Sequence, residues 1–448
     1  MRARVVSASL FAASSVAPAA LGGNQDSYYM SGQAALQAGA VTADARGGGA
    51  IWYNPAGLAE IRGLRLDVGA NAFRFDFGGA PDLDPVDAKD AEITRLRSIN
   101  FGSVPAAMTL THRFGDVGVG FGLFVPTDDT MYLRSQVTET TQSQRRAAEL
   151  GLDAHSTLSD YYLGPALGLR LGPQLRVGAS LFVNYKTSLA GSVVEGNIAD
   201  REGALDVAFV DHDTDDWQQF GARAVFGVQL HPDRHFSCGI AVRTPVLRLY
   251  QVRQRVKVRL VAEHEERPVA NNDFDETSGF DAEVIAPTRV QLGLSQSLGP
   301  WRVAAEANYL FPFEDSEQQI ETLAVANARA GLRYEVSPTF KIGGGLFTDR
   351  ATTDPKSFTQ TGLDYYGITV AGELSTPYRT IQKGDETFAA PHSLVFATGV
   401  ALSYAAGFGR VVRADVVTGE DATLTIVEVP TRAVAHELIL HVTSSLGE

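Results

Sequence analysis

The sequence predicts an all-β fold, namely a transmembrane antiparallel β-barrel of about 14 strands with an N-terminal hatch, or plug, in its lumen. Three observations predict this fold. Apolar and polar residues alternate with a period of two through most of the chain, tight turns alternate with long connections, and a stretch of small side chains without a clear period precedes the first strand. The predicted domains are a cleaved signal peptide at 1–20, the hatch at 21–62 and the barrel at 63–448.

The predicted leader begins with the basic stretch Met1 to Arg4 and continues as a small and apolar run to Leu21. Ala17-Pro18-Ala19 provides the small residues that a signal-peptide cleavage site needs. The run is too short and too rich in Ala and Ser for a good membrane anchor. We therefore expect an exported protein, with an ordinary N-terminal helix as the alternative.

Alternation is clearest between Trp301 and Phe311, where aliphatic and aromatic side chains fall on one face while Arg302, Glu306 and Asn308 fall on the other. In a soluble sandwich the apolar face would meet a shared core, whereas in a membrane barrel it would meet lipid. The predicted strands lie near 63–77, 105–114, 117–126, 158–171, 174–190, 218–231, 235–260, 284–298, 300–312, 325–335, 338–349, 364–375, 392–412 and 433–446.

The connections favour the barrel over the sandwich. Tight turns such as Leu298-Gly-Pro-Trp301 alternate with long loops, as the short periplasmic turns and long extracellular loops of bacterial barrels do. The predicted long loops are 78–104, 127–158, 190–217, 260–284, 312–325 and 350–363. The sequence leaves one assignment undecided, because Ala405 to Gly409 fits either a tight turn or a glycine kink within a strand.

Composition excludes several classes of function. The net charge of −14 over 448 residues would repel a phosphate backbone, so no nucleic-acid partner is expected. Cys238 is the sole cysteine, which excludes an intramolecular disulfide and a Cys-rich metal site. No nucleophile elbow, phosphate loop or Cys–His pair is present, so we expect no enzyme, no cofactor and no metal. The acidic stretch from Asp211 to Asp216 predicts a solvated loop, with weak divalent-cation binding or lipopolysaccharide bridging as the alternative.

The segment before the first strand contains Asn54-Pro55-Ala56-Gly57, which is turn chemistry: Pro55 fixes its own φ, and the Asn54 side chain can bond nearby backbone groups. By itself this motif also fits an ordinary surface turn. Its small neighbours between Ala34 and Ala50 suit close packing inside a barrel wide enough to need a plug.

Several segments carry a resemblance to a known family: Ser31-Gly32 through Ala43-Asp44, Tyr53 through Leu58, Gly118 through Pro126, and Tyr162 through Tyr185. They resemble the hatch, third strand and following hairpin of the FadL-type outer-membrane transporters. The resemblance covers the whole chain in architecture and about the first 190 residues in detail. It implies passive transport of long-chain fatty acids or other hydrophobic compounds across the bacterial outer membrane.

The resemblance also implies roles for individual residues. It implies that Asn54, Pro55, Ala56 and Gly57 hold the hatch turn against the barrel wall, and that ligand leaves sideways at a kink in the third strand. Glycines at 118, 120 and 122 and the proline at 126 are compatible with that kink, although glycine is also common in ordinary barrel strands. A carboxylate ligand would favour a cation in the lumen, and the candidates are Arg170, Arg176, Lys186, Arg302, Arg329 and Arg333. The alternative is that these cations are balanced by Glu306 and Glu335.

The expected partners are hydrophobic small molecules (fatty acids or aromatic hydrocarbons), outer-membrane lipid, lipopolysaccharide and the barrel-assembly machinery, with the protein acting as a monomer. Two features depart from the family: the last strand lacks a terminal aromatic residue, and 375–391 is long for a periplasmic turn. The alternative functions are a plugged structural or general porin-type barrel without hydrophobic-ligand transport, and a secreted soluble β protein.

Overall fold

The protein folds as a closed antiparallel β-barrel of 14 strands, seen in a computed structural model that describes residues 28–79, 97–100, 105–141, 146–199, 205–263, 269–315, 320–354, 361–378, 394–418 and 424–447. The predicted signal peptide and the first residues of the predicted hatch lie outside the described residues. No helix within these ranges is long and apolar enough to cross a membrane.

The barrel strands are β1 (Leu64–Gly79), β2 (Arg97–Asn100 and Pro105–Phe114), β3 (Val117–Thr141), β4 (Arg146–Arg170), β5 (Leu175–Ala199), β6 (Leu205–Leu230), β7 (Phe236–Arg243 and Val246–Glu263), β8 (Val269–Gly279, Glu283–Ala286 and Arg289–Leu298), β9 (Trp301–Leu310), β10 (Val325–Ser337), β11 (Phe340–Asp349), β12 (Thr361–Tyr378), β13 (Leu394–Thr418) and β14 (Leu424–Gly447). A small separate hairpin pairs Phe313–Asp315 with Ile320–Thr322.

Each strand pairs with its sequence neighbours, and β14 returns to pair with β1 from Arg65↔Gly447 to Gly79↔Val434. The barrel is therefore closed, and the predicted fold class and strand number are confirmed. The structure also decides between a turn and a strand at Ala405 to Gly409, because these residues pair with β12 without a register shift (Tyr365↔Gly407). This glycine-containing stretch is a continuous part of β13.

The two faces of the wall follow the alternation in the sequence. On β9, Trp301, Val303 and Tyr309 are exposed outside, whereas Glu306 and Asn308 are buried inside. The exposed aliphatic band is bordered by aromatic rows. Toward the long hairpins, Tyr161, Tyr185, Phe220 and Tyr250 stand on successive strands with ring centroids 6.0, 4.8 and 6.5 Å apart. At the short turns, Trp301 and Tyr334 are 4.4 Å apart. An apolar band between aromatic rows is the surface that barrels of this kind present to a bilayer.

Several of the predicted long loops are wrong, because they are strands. β3 runs to Thr141 and β4 begins at Arg146, so most of 127–158 is a long hairpin that extends past the aromatic row. The predicted loops 190–217 and 260–284 are likewise paired strands for most of their length. These extensions lie beyond the apolar band, where neither face needs to be apolar, so hydrophobic alternation could not reveal them.

The acidic stretch at 211–216 is also not a loop. It lies in β6, and alternate aspartates face arginines of β7: Asp211–Arg259 at 2.6 Å, Asp213–Arg255 at 2.7 Å and Asp215–Arg253 at 2.6 Å. These carboxylates are almost completely buried. Since each is matched by an arginine, the expectation of a solvated loop is wrong. No group of three or more His, Cys, Asp or Glu side chains in the described part of the chain could hold a metal ion.

Candidate functional site

The N-terminal segment, residues 28–62, lies across the barrel lumen. It forms α1 (Gly32–Leu36), α2 (Gly49–Tyr53) and a 3-10 helix (Pro55–Glu60). Ser31 caps α1, because its side chain accepts a hydrogen bond from the Ala34 N–H at 3.2 Å. Helix α1 contacts β10 to β14, whereas the 3-10 helix contacts β2 to β6. The segment therefore touches opposite walls, and nearly all of its residues are buried.

Asn54 joins the segment to the wall. Its Oδ1 accepts from the Ala56 N–H at 3.2 Å and so starts the 3-10 helix, with Pro55 at the first helical position. Its Nδ2 donates to the Thr42 carbonyl at 2.8 Å and to the Val228 carbonyl of β6 at 3.1 Å. Gly57 is required by space, because a Cβ there would collide with the Ala45 carbonyl. The fully buried Asn54 thus ties two parts of the segment to the barrel.

A row of glycines seats the segment against the wall. At each position a Cβ would come closer than 3 Å to an atom of the N-terminal segment, so only glycine permits this approach. Several of these glycines pair directly across neighbouring strands (Gly118↔Gly168, Gly168↔Gly178, Gly178↔Gly227 and Gly239↔Gly293). We call the set the glycine belt: Gly118, Gly168, Gly178, Gly227, Gly239, Gly293, Gly331 and Gly343.

The predicted lumen cations face inward, and several meet carboxylates of the N-terminal segment. Glu60 binds Arg170 at 2.9 Å and Arg176 at 2.7 Å. Asp44 pairs with Arg302 at 2.5 Å. Burial raises the pKa of the Asp44 carboxyl, and the nearby Arg302 acts in the opposite direction. These cations are therefore neutralised mainly by the segment that they hold.

The remaining cations have different surroundings. Arg333 lies 3.5 Å from Glu335, Arg329 lies against Gly39, and the Lys186 ammonium is 5.5 Å from the centre of the Trp217 ring. Glu306 uses one carboxylate oxygen to accept the N–H groups of Val41 and Thr42, at 3.1 and 3.0 Å. It thus anchors backbone of the N-terminal segment.

The third strand, β3, has a bulge. Gly118, Gly120 and Gly122 pair regularly with β4, but the register shifts between Phe124↔Tyr162 and Thr127↔Asp160. Two residues of β3, Val125 and Pro126, therefore lie opposite a single residue of β4, Tyr161. Pro126 has no N–H to donate. Pairing with β2 also stops at Ala107↔Phe124. Of the four predicted kink residues, Pro126 is the one that lies in the irregular stretch.

Four aromatic side chains pack together on the lumen side of this bulge, and we call them the aromatic cluster: Trp52, Phe124, Tyr162 and Phe182. The Trp52 ring lies 5.2 Å from Phe124, 5.2 Å from Tyr162 and 5.9 Å from Phe182. Arg243 stacks over Trp52 at 4.3 Å and donates to its carbonyl at 3.1 Å. Sequence reasoning missed this cluster, because its members come from α2 and three different strands.

Two further titratable groups border the N-terminal segment. Burial raises the pKa of Tyr53 to about 12, and its hydroxyl accepts from the Met30 N–H at 3.1 Å. His231, in the short turn after β6, contacts Arg176, and burial together with that guanidinium lowers the pKa of the imidazole to about 4. Both groups are therefore uncharged near neutral pH.

Comparison with solved structures shows that this chain shares the fold of hydrocarbon channels. It matches the toluene transporter TodX of P. putida with a TM-score of 0.57 and 12% identity, over 95% of this chain and 99% of that one. It matches the Ralstonia pickettii toluene transporter TbuX with a TM-score of 0.54 and 12% identity, over 95% and 99%. It matches a Pseudomonas aeruginosa FadL homologue with a TM-score of 0.54 and 10% identity, over 93% and 98%.

No protein-family model and no curated protein sequence matches the chain. The likeness therefore rests on the solved structures, at sequence identities that establish the fold alone. At that level the resemblance inferred from the sequence is confirmed.

Proposed function

We propose that this protein is a passive channel for hydrophobic compounds in the bacterial outer membrane. The observation that carries the proposal is the aromatic cluster packed behind the β3 bulge. The solved structures that share the fold and are named as toluene transporters give independent support. Burying each CH₂ group stabilises a bound ligand by about 0.8 kcal/mol, so an apolar lumen surface captures such molecules without an energy source.

Residues 21–62 act as the hatch in this proposal, and Asn54, Pro55, Ala56 and Gly57 are its anchor. The tied and buried segment blocks a straight route through the lumen. Ligand then leaves sideways through the wall at Val125 and Pro126, where the strand hydrogen bonding is interrupted. The exposed aliphatic band on the outside of the wall faces the lipid that receives the ligand.

The ligand class is an aromatic hydrocarbon or a fatty acid. For a fatty acid, Lys186 is the best placed of the predicted cations. It lies on the same lumen face of β5 as Phe182 and Asn184, opposite Asp160 of β4, whereas Arg170, Arg176 and Arg302 lie near the short turns beside Glu60 and Asp44. The Lys186 ammonium would meet a carboxylate whose chain lies against the aromatic cluster.

Uptake of labelled oleate and labelled toluene by cells that express the protein tests the proposal. Deleting Pro126 removes one residue from the bulge and restores one-to-one pairing of β3 with β4, so uptake should fall to background. Pro126→Ala keeps the residue count and is the matched control, with uptake retained. Unchanged uptake in the deletion variant, at equal amounts of folded protein, would rule out the lateral route. Background uptake by the wild type would rule out the function itself.

A further inference from the structure

A polar cavity of about 260 Å³ separates one side of the N-terminal segment from the barrel wall. It lies between the stretches around Ser31 and Gly47 and the strands β1, β2, β10 to β14. The glycine belt, which runs on β3 to β8, β10 and β11, has no member on β12, β13, β14, β1 or β2. The N-terminal segment is thus seated on the glycine belt on one side. On the other side α1 still contacts β12 to β14 and the Gly48 N–H donates to Asp67 of β1 at 2.9 Å, but a space remains between these contacts. We call this space the polar cup.

The cup is closed toward the long hairpins. Tyr29 Oη lies 2.6 Å from Thr369 Oγ1, Thr369 lies 2.9 Å from Ser403, and the Tyr29 ring packs 4.7 Å from His441. All four side chains are almost completely buried. Toward the short turns, in contrast, the side chains of Arg65 and Glu335 are 41% and 51% exposed. The cup therefore opens at the end of the barrel that bears the short turns.

The charges around the cup are not balanced. Its lining contains Arg46, Arg65, Arg333 and Lys341 against Asp67, Glu335 and Glu373, a net charge of +1 in a chain of −14. Three of the cations have carboxylate partners: Arg65–Asp67 at 2.8 Å, Lys341–Glu373 at 2.8 Å and Arg333–Glu335 at 3.5 Å.

Arg46 is the exception. Arg46 is exposed and forms no salt bridge among the described residues, although its guanidinium lies near enough to Asp44 to lower the pKa of that carboxyl. Its backbone N–H donates to Gln33 at 3.0 Å. A second unmatched donor lies in the lining, because Thr109 is 2% exposed and its hydroxyl has no hydrogen-bond partner in the described part of the chain. A buried polar group without a partner is costly unless water or a ligand satisfies it.

We propose that the polar cup is a binding site for a small oxyanion, carrying a carboxylate or phosphate group, that enters from the short-turn end of the barrel. Arg46 supplies the free guanidinium, which binds such groups through paired N–H donors, and Thr109 supplies a hydroxyl donor. The cup is too small and too polar for a long alkyl chain. This site is separate from the aromatic cluster and does not depend on the proposed transport function.

Isothermal titration calorimetry on the full-length folded protein in detergent tests the site, with inorganic phosphate in one arm and acetate in the other. Wild-type protein should bind at least one of them, and the arm that responds identifies the oxyanion class. Arg46→Gln should weaken binding by about tenfold or more, since a charged hydrogen-bonding partner is lost. Arg234→Gln, an exposed arginine in a short turn outside the cup, is the matched control and should bind like the wild type.

A second variant tests the site without changing its charge, by filling the cup with an apolar side chain. A Cβ at Gly69 would lie 3.7 Å from Thr443 and 4.0 Å from Tyr29, which are ordinary contacts, so Gly69→Leu fits the wall and occupies the cup. It should abolish binding. The proposal is overturned if neither anion binds the wild type, or if Arg46→Gln and Gly69→Leu both bind with wild-type affinity. Hydrophobic uptake measured on the same variants separates this outcome from failure of the transport proposal.

Discussion

Gly168 of β4 approaches Pro55 so closely that a Cβ at position 168 would lie 2.7 Å from the Pro55 carbonyl oxygen. Gly168→Ala should therefore push the 3-10 helix away from the wall. We expect a loss of about 1–3 kcal/mol in the free energy of unfolding, as for other overpacked sites. Urea unfolding of the refolded barrel measures it. Gly372→Ala is the control, because a Cβ there would lie 3.8 Å from Phe340 and 4.0 Å from the Lys341 carbonyl oxygen, which are ordinary contacts. Equal losses in the two variants would contradict the steric argument.

Asn54→Ala should also destabilise the seated segment. The substitution removes the cap of the 3-10 helix and leaves the Thr42 and Val228 carbonyls without their shared donor. The Thr42 carbonyl keeps a longer hydrogen bond from Gln229 at 3.4 Å, so we expect the lost cap and the lost donor to cost about 1–2 kcal/mol, which urea unfolding would detect. Gln174→Ala removes an exposed side chain that also donates to a carbonyl, that of Pro232, and should cost much less. Labelled oleate uptake should fall with Asn54→Ala and be unchanged with Gln174→Ala.

His231 should make the barrel less stable in acid. Its folded-state pKa of about 4 lies below the ordinary value of 6.5. Between these values His231 is protonated in the unfolded chain but not in the folded chain. The free energy of unfolding therefore falls as the pH drops from 6.5 toward 4. His231→Asn should reduce the difference between urea midpoints at about pH 7.5 and about pH 4.5. His235→Asn, on the exposed part of the same turn, should leave that difference unchanged. A full wild-type difference in His231→Asn would contradict the prediction.

The aspartate–arginine pairs of β6 and β7 should stiffen the hairpin that extends beyond the aromatic row. Asp213 is 1% exposed and lies 2.7 Å from Arg255, whereas Asp273 on β8 is exposed. Asp213→Ala removes the buried carboxylate that Arg255 meets and should cost about 1–2 kcal/mol, between the values for exposed and buried pairs. Limited proteolysis of the 205–263 hairpin should be faster in Asp213→Ala than in Asp273→Ala, because Asp273 also acts on Arg255 but is exposed to solvent. Equal rates would show that the buried pairs are not what holds this hairpin.

Much of the barrel could be predicted because a lipid-facing wall imposes a period of two on the sequence. Segments such as Trp301 to Leu310 carry that signal completely. The extended hairpins could not be found in this way, since residues such as Asp213 and Arg255 satisfy each other and neither face needs to be apolar. The predicted cations do face the lumen, but their partners Asp44 and Glu60 come from the N-terminal segment. Only the folded chain brings these groups together.

The glycine belt could not be predicted either. Glycines are common in barrel strands, and a sequence does not show which of them pair in a row behind another part of the chain. Gly118 illustrates this: the sequence is compatible with a kink there or with an ordinary strand glycine, and the residue lies in a regularly paired stretch where the Leu58 carbonyl occupies the space of a side chain. The irregularity lies eight residues later, at Pro126.

The glycine belt has a consequence for how the molecule is made. At the belt positions the inner face of the wall has no side chains to pack, so we expect the strands to close around the N-terminal segment and not before it is in place. A chain that lacks this segment would therefore not become an open pore. If its strands did close, they would surround a space lined partly by bare backbone. We therefore expect such a truncated chain to remain unassembled.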